Sequence, residues 1–251
     1  MELLSVPVAS LEAVAPGIHL MWLECPSLAR AARPGQFIMV RCGEETVLRR
    51  PFSFHRVEGN RFALLFNVVG TGTAWLAQRQ PGEELDVLGP LGNGFSLPEV
   101  ARHVLLVAGG IGVAPLYFLA EEALGQGREV TFLYGTSGDG RCPLPAGVTE
   151  VAATEDGSTG HHGMITELVA EHLPLADFVA ACGPLAMFHT LAVMPQLRQK
   201  PVQVSIETRM GCGFGVCYGC TIRTRRGLKQ VCTDGPVFEL SEVLWQEMVF
   251  F

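Results

Sequence analysis

Four cysteines carry the plainest chemistry in this chain. Cys212, Cys217, Cys220 and Cys232 stand at C-x4-C-x2-C-x11-C and make up half of its eight cysteines. A tight loop of three thiols with a distant fourth is a spacing that holds a [2Fe–2S] cluster. Thiolate sulfur is soft and polarisable, which suits iron across its redox states. Gly211, Gly213, Gly215 and Gly219 interleave the cysteines. Glycine lets such a loop turn sharply while its amides face sulfur. Two other uses remain open. Zinc prefers paired C-x2-4-C knuckles, and one such pair is present. Disulfides belong to oxidising compartments, and nothing in the chain points to one.

A second group of residues could hold phosphates and planar rings. Arg50, Pro51, Phe52 and Ser53 form an extended stretch that could bring a guanidinium, a hydroxyl and amides to one phosphate-bearing ligand. Gly70-Thr71-Gly72-Thr73 precedes a helix expected over 74–79, whose start offers free N–H groups to a pyrophosphate. Gly109-Gly110-Ile111-Gly112-Val113-Ala114-Pro115 is a glycine-rich strand-to-helix turn. It departs from the Rossmann G-x-G-x-x-G by placing proline third. Taken singly, each is also what an ordinary strand, or a helix packed closely on a strand, looks like. Cys182, before Gly183-Pro184, reads on its own as a small buried residue. Cys25, Cys42 and Cys142 have no partner at ligand spacing and read as structural.

These residues need a scaffold, and the chain punctuates one. Residues 1–98 hold short strands rich in β-branched and aromatic residues, such as 37–40 and 62–69, separated by turn pairs. That pattern predicts a small antiparallel β-barrel. Residues 99–200 alternate strand and helix: strands at 103–108, 129–135 and 177–182, helices at 116–125 and 185–197. That predicts an α/β doubly wound parallel sheet, which binds ligands at the carboxyl ends of its strands. Residues 201–251 are expected to form a small C-terminal [2Fe–2S] domain. The 251 residues suffice for two domains and an appendage. A net charge of −7 argues against a nucleic-acid partner. No secretory signal opens the chain. The longest apolar run, 104–120, is broken by glycines and Pro115 and does not read as a membrane span. A cytoplasmic protein is expected.

In this order, barrel, nucleotide domain and cysteine loop resemble the ferredoxin–NADP+ reductase superfamily. Within it, the chain most resembles the electron-transfer subunits of class 1B dihydroorotate dehydrogenases. The resemblance covers nearly the whole chain. It rests on Arg50-Pro51-Phe52-Ser53, Gly70-x-Gly72-Thr73, the 109–115 turn, Ala181-Cys182-Gly183-Pro184, Glu207-x-Arg209-Met210-x-Cys212 and Cys232-x-Asp234-Gly235-Pro236-Val237-Phe238. It implies FAD, a [2Fe–2S] cluster and NAD+ as the acceptor. Arg50, Pro51, Phe52 and Ser53 would embrace the flavin, Asn67, Val68 and Val69 would line it, and Gly72 and Thr73 would meet its pyrophosphate. Gly110, Gly112 and Pro115 would approach the nicotinamide nucleotide, with Cys182 and Gly183 beside its ring. Phe52 stands where many superfamily members carry tyrosine, which removes a hydroxyl but keeps stacking. The segment Thr154-x-Asp156-Gly157-Ser158 resembles one beside the dinucleotide site.

The implied reaction starts on a separate FMN-containing dihydroorotate dehydrogenase catalytic subunit, in a heterotetramer with two of each chain, during pyrimidine biosynthesis. Electrons would pass through the cluster to FAD and leave as hydride. Flavin mediates because it is stable in one- and two-electron states. No side chain is needed as a general base, and none is assigned. NAD rather than NADP is expected, because no cation follows the 129–135 strand until Arg141. Arg223, Arg225, Arg226 and Lys229, between the third and fourth cysteines, read as a solvated hairpin or as a basic docking patch. Two rival functions share the pattern: a reductase subunit of a hydrogenase or NADPH:ferredoxin transhydrogenase, and a zinc-stabilised binding module without redox activity.

Overall fold

The computed structural model describes residues 1–248. Seven strands build the first unit: β1 (Glu2–Ala15), β2 (Ile18–Glu24), β3 (Phe37–Val40), β4 (Arg50–Ser53), β5 (Arg56–Glu58), β6 (Arg61–Asn67) and β7 (Glu84–Leu91). Helix α1 (Pro26–Ala31) and helix α2 (Thr71–Leu76) sit in its connections. The strands form one antiparallel sheet in the order β4-β3-β7-β1-β2-β6-β5. Its two edges, β4 and β5, are consecutive pieces of one bent segment, so the sheet curls and the chain itself joins its edges. Phe52 on β4 and Phe66 on β6 meet edge to face across that closure, 5.8 Å between centroids. Strand alternation explains the interior: Leu85 and Val87 of β7 and Phe62, Leu64 and Phe66 of β6 fill the curl.

The second unit comprises β8 (His103–Gly109), α3 (Val113–Gly125), β9 (Glu129–Thr136), β10 (Thr149–Thr154), β11 (His161–His162), α4 (Val169–His172), β12 (Phe178–Cys182), α5 (Leu185–Val193) and β13 (Val202–Ser205). The cysteine segment adds β14 (Thr221–Thr224), β15 (Gly227–Gln230) and β16 (Val237–Glu239). The second sheet runs β11-β10-β9-β8-β12-β13-β16, parallel except for the antiparallel β16. Both of its faces are covered, as a parallel sheet requires. Val104, Leu106 and Ala108 of β8 pack with α3, while Leu105 and Val107 face the opposite core.

Two sequence expectations shift. The sheet does not stop at residue 200. β13 is its next parallel strand, and β16 returns to extend it. The core explains this. Cys220, Ile222, Val231 and Cys232 share one apolar cluster with Leu105 and Val179 of the sheet and with Phe37 and Met39 on the outer face of the barrel. The cysteine segment is therefore packed into both units rather than hung from them. Helix bounds also move. α2 starts at Thr71, because Thr73 Oγ1 accepts the Val69 and Gly70 N–H groups at 2.9 and 3.1 Å. α3 begins at Val113 with Pro115 in its first turn, where a missing N–H costs no helical bond. α5 stops at Val193, two residues before Pro195. No helix among the described residues is long and apolar enough to cross a membrane.

Candidate functional site

A cleft of about 860 Å³ opens between the curled sheet and the parallel sheet. That is the upper part of the range for small-molecule sites. Arg50, Pro51, Phe52 and Ser53 line it from β4, with Asn67, Val69 and Thr73 beside them. Register and pleat assign the faces: Pro51 pairs with Met39 and Phe52 with Ile38. Phe52 belongs to the barrel core and, at 8 % exposure, still lines the cleft. Val68 lies outside the cleft lining, its N–H bound to the Gly17 carbonyl at 2.9 Å. Gly72 lies beneath the lining. A Cβ there would lie 3.3 Å from Cys42 Cβ, with Arg50 Nε next at 3.5 Å, so Gly72 lets α2 pack closely on Cys42 beside the arginine.

Gly110, Gly112, Pro115, Cys182 and Gly183 line the opposite wall. Their meeting has one cause. A Cβ on Gly112 would lie 2.0 Å from the Cys182 carbonyl oxygen, so only glycine lets the β8–α3 turn rest on the end of β12. The Cys182 thiol is pushed up to about 12 by burial, with the nearby Glu207 adding to the rise. It stays a neutral thiol. Glu207 and Met210 also line the cleft, as does Glu155 at the end of β10. Burial among the walls raises the Glu207 carboxyl above the usual range, although its outer side is open to the cleft. Glu207 and Met210 stand in the motif before Cys212, which was the signal that could have placed them here. Glu155 carried no such signal.

The loop and the β14–β15 hairpin bring Cys212 beside Cys217 and Cys220 beside Cys232. The Val231 N–H donates to the Cys220 carbonyl at 3.1 Å, which sets Cys220 beside Cys232. Burial raises the Cys232 thiol to about 12, and the adjacent Cys220 adds to it. At Cys212 burial works upward too, but the amides of Phe214, Cys217 and Val216, with the Cys217 thiol beside them, bring it down to about 6. Amides directed at sulfur are what a thiolate ligand needs. Gly213, at φ +83°, lets the loop lie on the barrel, since a Cβ there would be 2.6 Å from Met39 Cγ. All eight cysteines are free, so no disulfide pairs them. Cys212 with Cys217, and Cys220 with Cys232, form two neighbouring pairs. Among the described residues no three potential ligands close on a single point. A donor set of four thiols, three of them in one tight loop, is of the kind that holds a [2Fe–2S] cluster.

The basic residues of the hairpin are engaged within the chain. Arg223 meets Glu247 at 3.2 Å, Arg226 meets Glu242 at 3.7 Å and Lys229 meets Asp234 at 3.0 Å. Arg225 Nε donates to the Ser241 carbonyl at 2.8 Å. The cysteine loop and hairpin also present apolar side chains to solvent: Val216, Tyr218 and Leu228 are each more than 60 % exposed, with Phe214 at 42 %. Arg141, the first cation after β9, is taken up by Glu150.

Residues 207–244 match the iron–sulfur cluster binding domain of dihydroorotate dehydrogenase B. A protein of Desulforamulus reducens named dihydroorotate dehydrogenase B (NAD(+)), electron transfer subunit, is 40 % identical over 249 residues, covering 93 % of this chain and 95 % of its own. One of the same name from Caldanaerobacter subterraneus is 39 % identical, covering 84 % and 87 %. Among solved structures, an NADH-dependent reduced ferredoxin-NADP oxidoreductase of flavin-based electron bifurcation superposes with a TM-score of 0.86 at 28 % identity, covering 96 % of this chain and 90 % of that one. Phthalate dioxygenase reductase shares the fold, with a TM-score of 0.61 at 19 % identity over 89 % of this chain and 87 % of its own.

Proposed function

This chain belongs to the family of dihydroorotate dehydrogenase B electron transfer subunits, and on that premise we propose that it carries electrons from an FMN-bearing catalytic subunit to NAD+ in pyrimidine biosynthesis. FAD and a [2Fe–2S] cluster, when bound, supply the exchange between one-electron steps and hydride transfer. The residues of the chain position those groups. Arg50 and Ser53 offer a guanidinium and a hydroxyl to the flavin, and Pro51 and Phe52 wall it. Gly110, Gly112 and Pro115 admit the nicotinamide nucleotide against Cys182, whose neutral thiol puts no charge beside a hydride path. Cys212, Cys217, Cys220 and Cys232 hold the cluster.

One observation carries the reading. The cluster loop packs through Gly213 onto Met39, and Met39 pairs directly with Pro51 of the flavin strand. The strand on which the cysteine loop packs and the strand that lines the cleft are hydrogen-bonded neighbours, about 4.8 Å apart. The acidic Glu155 in the cleft, with Arg141 occupied elsewhere, favours NAD over a dinucleotide bearing a 2′-phosphate. The apolar ring around the cysteine loop is the surface offered to the partner, in a cytoplasmic assembly of two of each chain.

Co-expression with the FMN subunit tests this. We expect a coloured complex containing flavin, iron and sulfide, dihydroorotate-dependent reduction of NAD+, and a mass for two of each chain. A colourless zinc protein defeats the reading. The likeness to the ferredoxin-linked oxidoreductase supports a second reading, a reductase subunit serving ferredoxin. Reduction of ferredoxin without response to dihydroorotate would select it.

A further inference from the structure

The flavin strand and the nicotinamide-binding turn are tied by a buried histidine that the chemistry does not require. His55 sits in the bend between β4 and β5, two residues after Ser53, and is 5 % exposed. Its Nδ1 lies 3.0 Å from the carbonyl oxygen of Ala114. A carbonyl only accepts, so Nδ1 carries the hydrogen. Ala114 itself lines the cleft, between Gly112 and Pro115. The imidazole also rests on Tyr117, 4.4 Å between centroids. The next residue, Arg56, brings Nε to 3.0 Å from Glu121 Oε1 and sets its guanidinium 5.7 Å from the Tyr117 ring centre. The Arg56–Glu121 contact is off the hydrogen-bond line and acts as an ion pair. Ala114, Tyr117 and Glu121 recur at helical spacing on one face of α3.

Packing alone does not ask for histidine here. A phenylalanine would fill the volume without the desolvation that a buried imidazole costs. What histidine adds is a directed donor at a fixed place. We infer that His55 is a positioning residue for hydride transfer: its Nδ1–H holds the Ala114 carbonyl and so fixes the 110–115 turn against the flavin strand Arg50–Ser53. The inference rests on the functional reading above. Its energetic sense is that of near-attack geometry, in which an ångström of misplacement costs about 100-fold in rate.

The test uses the complete flavin- and cluster-loaded complex with three variants. H55F removes the donor and keeps volume. H55N returns a donor at the Nδ1 position. H55Q places it at the Nε2 position. Flavin bleaching by saturating NADH is followed in stopped flow, and deuterium uptake by the first turn of α3 is followed in the protein stripped of flavin. We expect H55F and H55Q to slow bleaching by about 100-fold and to speed exchange in that turn, with H55N near wild type in both. Flavin content and flavin reduction from the dihydroorotate side should not change. Should H55F fail to fold, the contrast between H55N and H55Q decides alone. Equal rates in those two, fast or slow, overturn the positioning role. Failure of the functional reading is separate, because wild type would then show no reduction by dihydroorotate.

Discussion

At the scale of single residues, Cys220 and His55 make opposite uses of burial. Cys220 is enclosed beside Cys232 and pinned through its carbonyl. Its substitution separates electron entry from electron exit. Cys220→Ser should abolish reduction of the flavin from the dihydroorotate side while NADH still bleaches the flavin at the wild-type rate. Loss of both in a folded protein would make the cysteine loop structural rather than conducting. His55 is neutral because burial drives its pKa from 6.5 down to about 4. The Ala114 bond opposes that fall, and Arg56 adds to it. Arg56, Glu121 and Glu58 are the charged groups around this contact. With the folded value depressed, the His55 contribution is whole above pH 6.5 and is lost as pH falls toward 4. The unfolded chain takes up the proton first. The difference amounts to about 3 kcal/mol. Urea unfolding from pH 7 to pH 4 should show this loss in wild type and not in H55N; parallel curves would refute it.

At the scale of elements, the β14–β15 hairpin and the cysteine loop form the docking face proposed for the partner. Four cations between the third and fourth cysteines look like a basic patch in the chain, yet each is bound to an acid or a carbonyl nearby. Exposed ion pairs of this kind contribute little to stability, and the acids beside three of the four cations offset their charge. Val216, Tyr218 and Leu228 remain uncovered. A few desolvated anchors near the centre of an interface, tyrosine prominent among them, carry most of its energy, and an unpaired charge buried among the surrounding apolar contacts costs 2 kcal/mol or more, about 30-fold in affinity. Val216→Asp and Leu228→Asp should each weaken binding of the FMN subunit on that order, with little dependence on salt. Charge reversal at Arg225 and Arg226 should do less. A steep fall of affinity with salt would restore the basic patch.

At the scale of the whole molecule, the segment after residue 200 is part of the fold's core. β13 and β16 complete the parallel sheet. Asn93, leaving the barrel, is bound to the cysteine segment through its N–H at 2.6 Å to the Gly235 carbonyl. A chain ending at residue 200 would uncover β12, whose Val179 and Ala181 are fully buried. Such a truncation should give no cooperative thermal transition and no bound flavin. A cooperatively melting flavoprotein of 200 residues would show that the first two units stand alone.

Covalent order alone determined much here. Cysteine spacing marks a loop of clustered thiols, the alternation of strand and helix announces the parallel sheet, and Arg50–Ser53 and the 109–115 turn both stand out in the chain before the fold brings them to one cleft. These are local patterns, legible because spacing and periodicity act within a few residues. Tertiary structure decided what the chain could not show. Gly112 reads as a turn residue until β12 is seen to rest on it, and the segment after residue 200 reads as an appendage until its described part, 201–248, shares a core with Phe37 and Met39. Glu155 reads as a surface acid until β10 delivers it to the cleft. The hairpin cations read as free until Glu242, Glu247 and Asp234 meet them, and His55 reads as nothing until α3 arrives. Each of these depends on contacts between segments far apart in sequence, and packing, rather than periodicity, selects them.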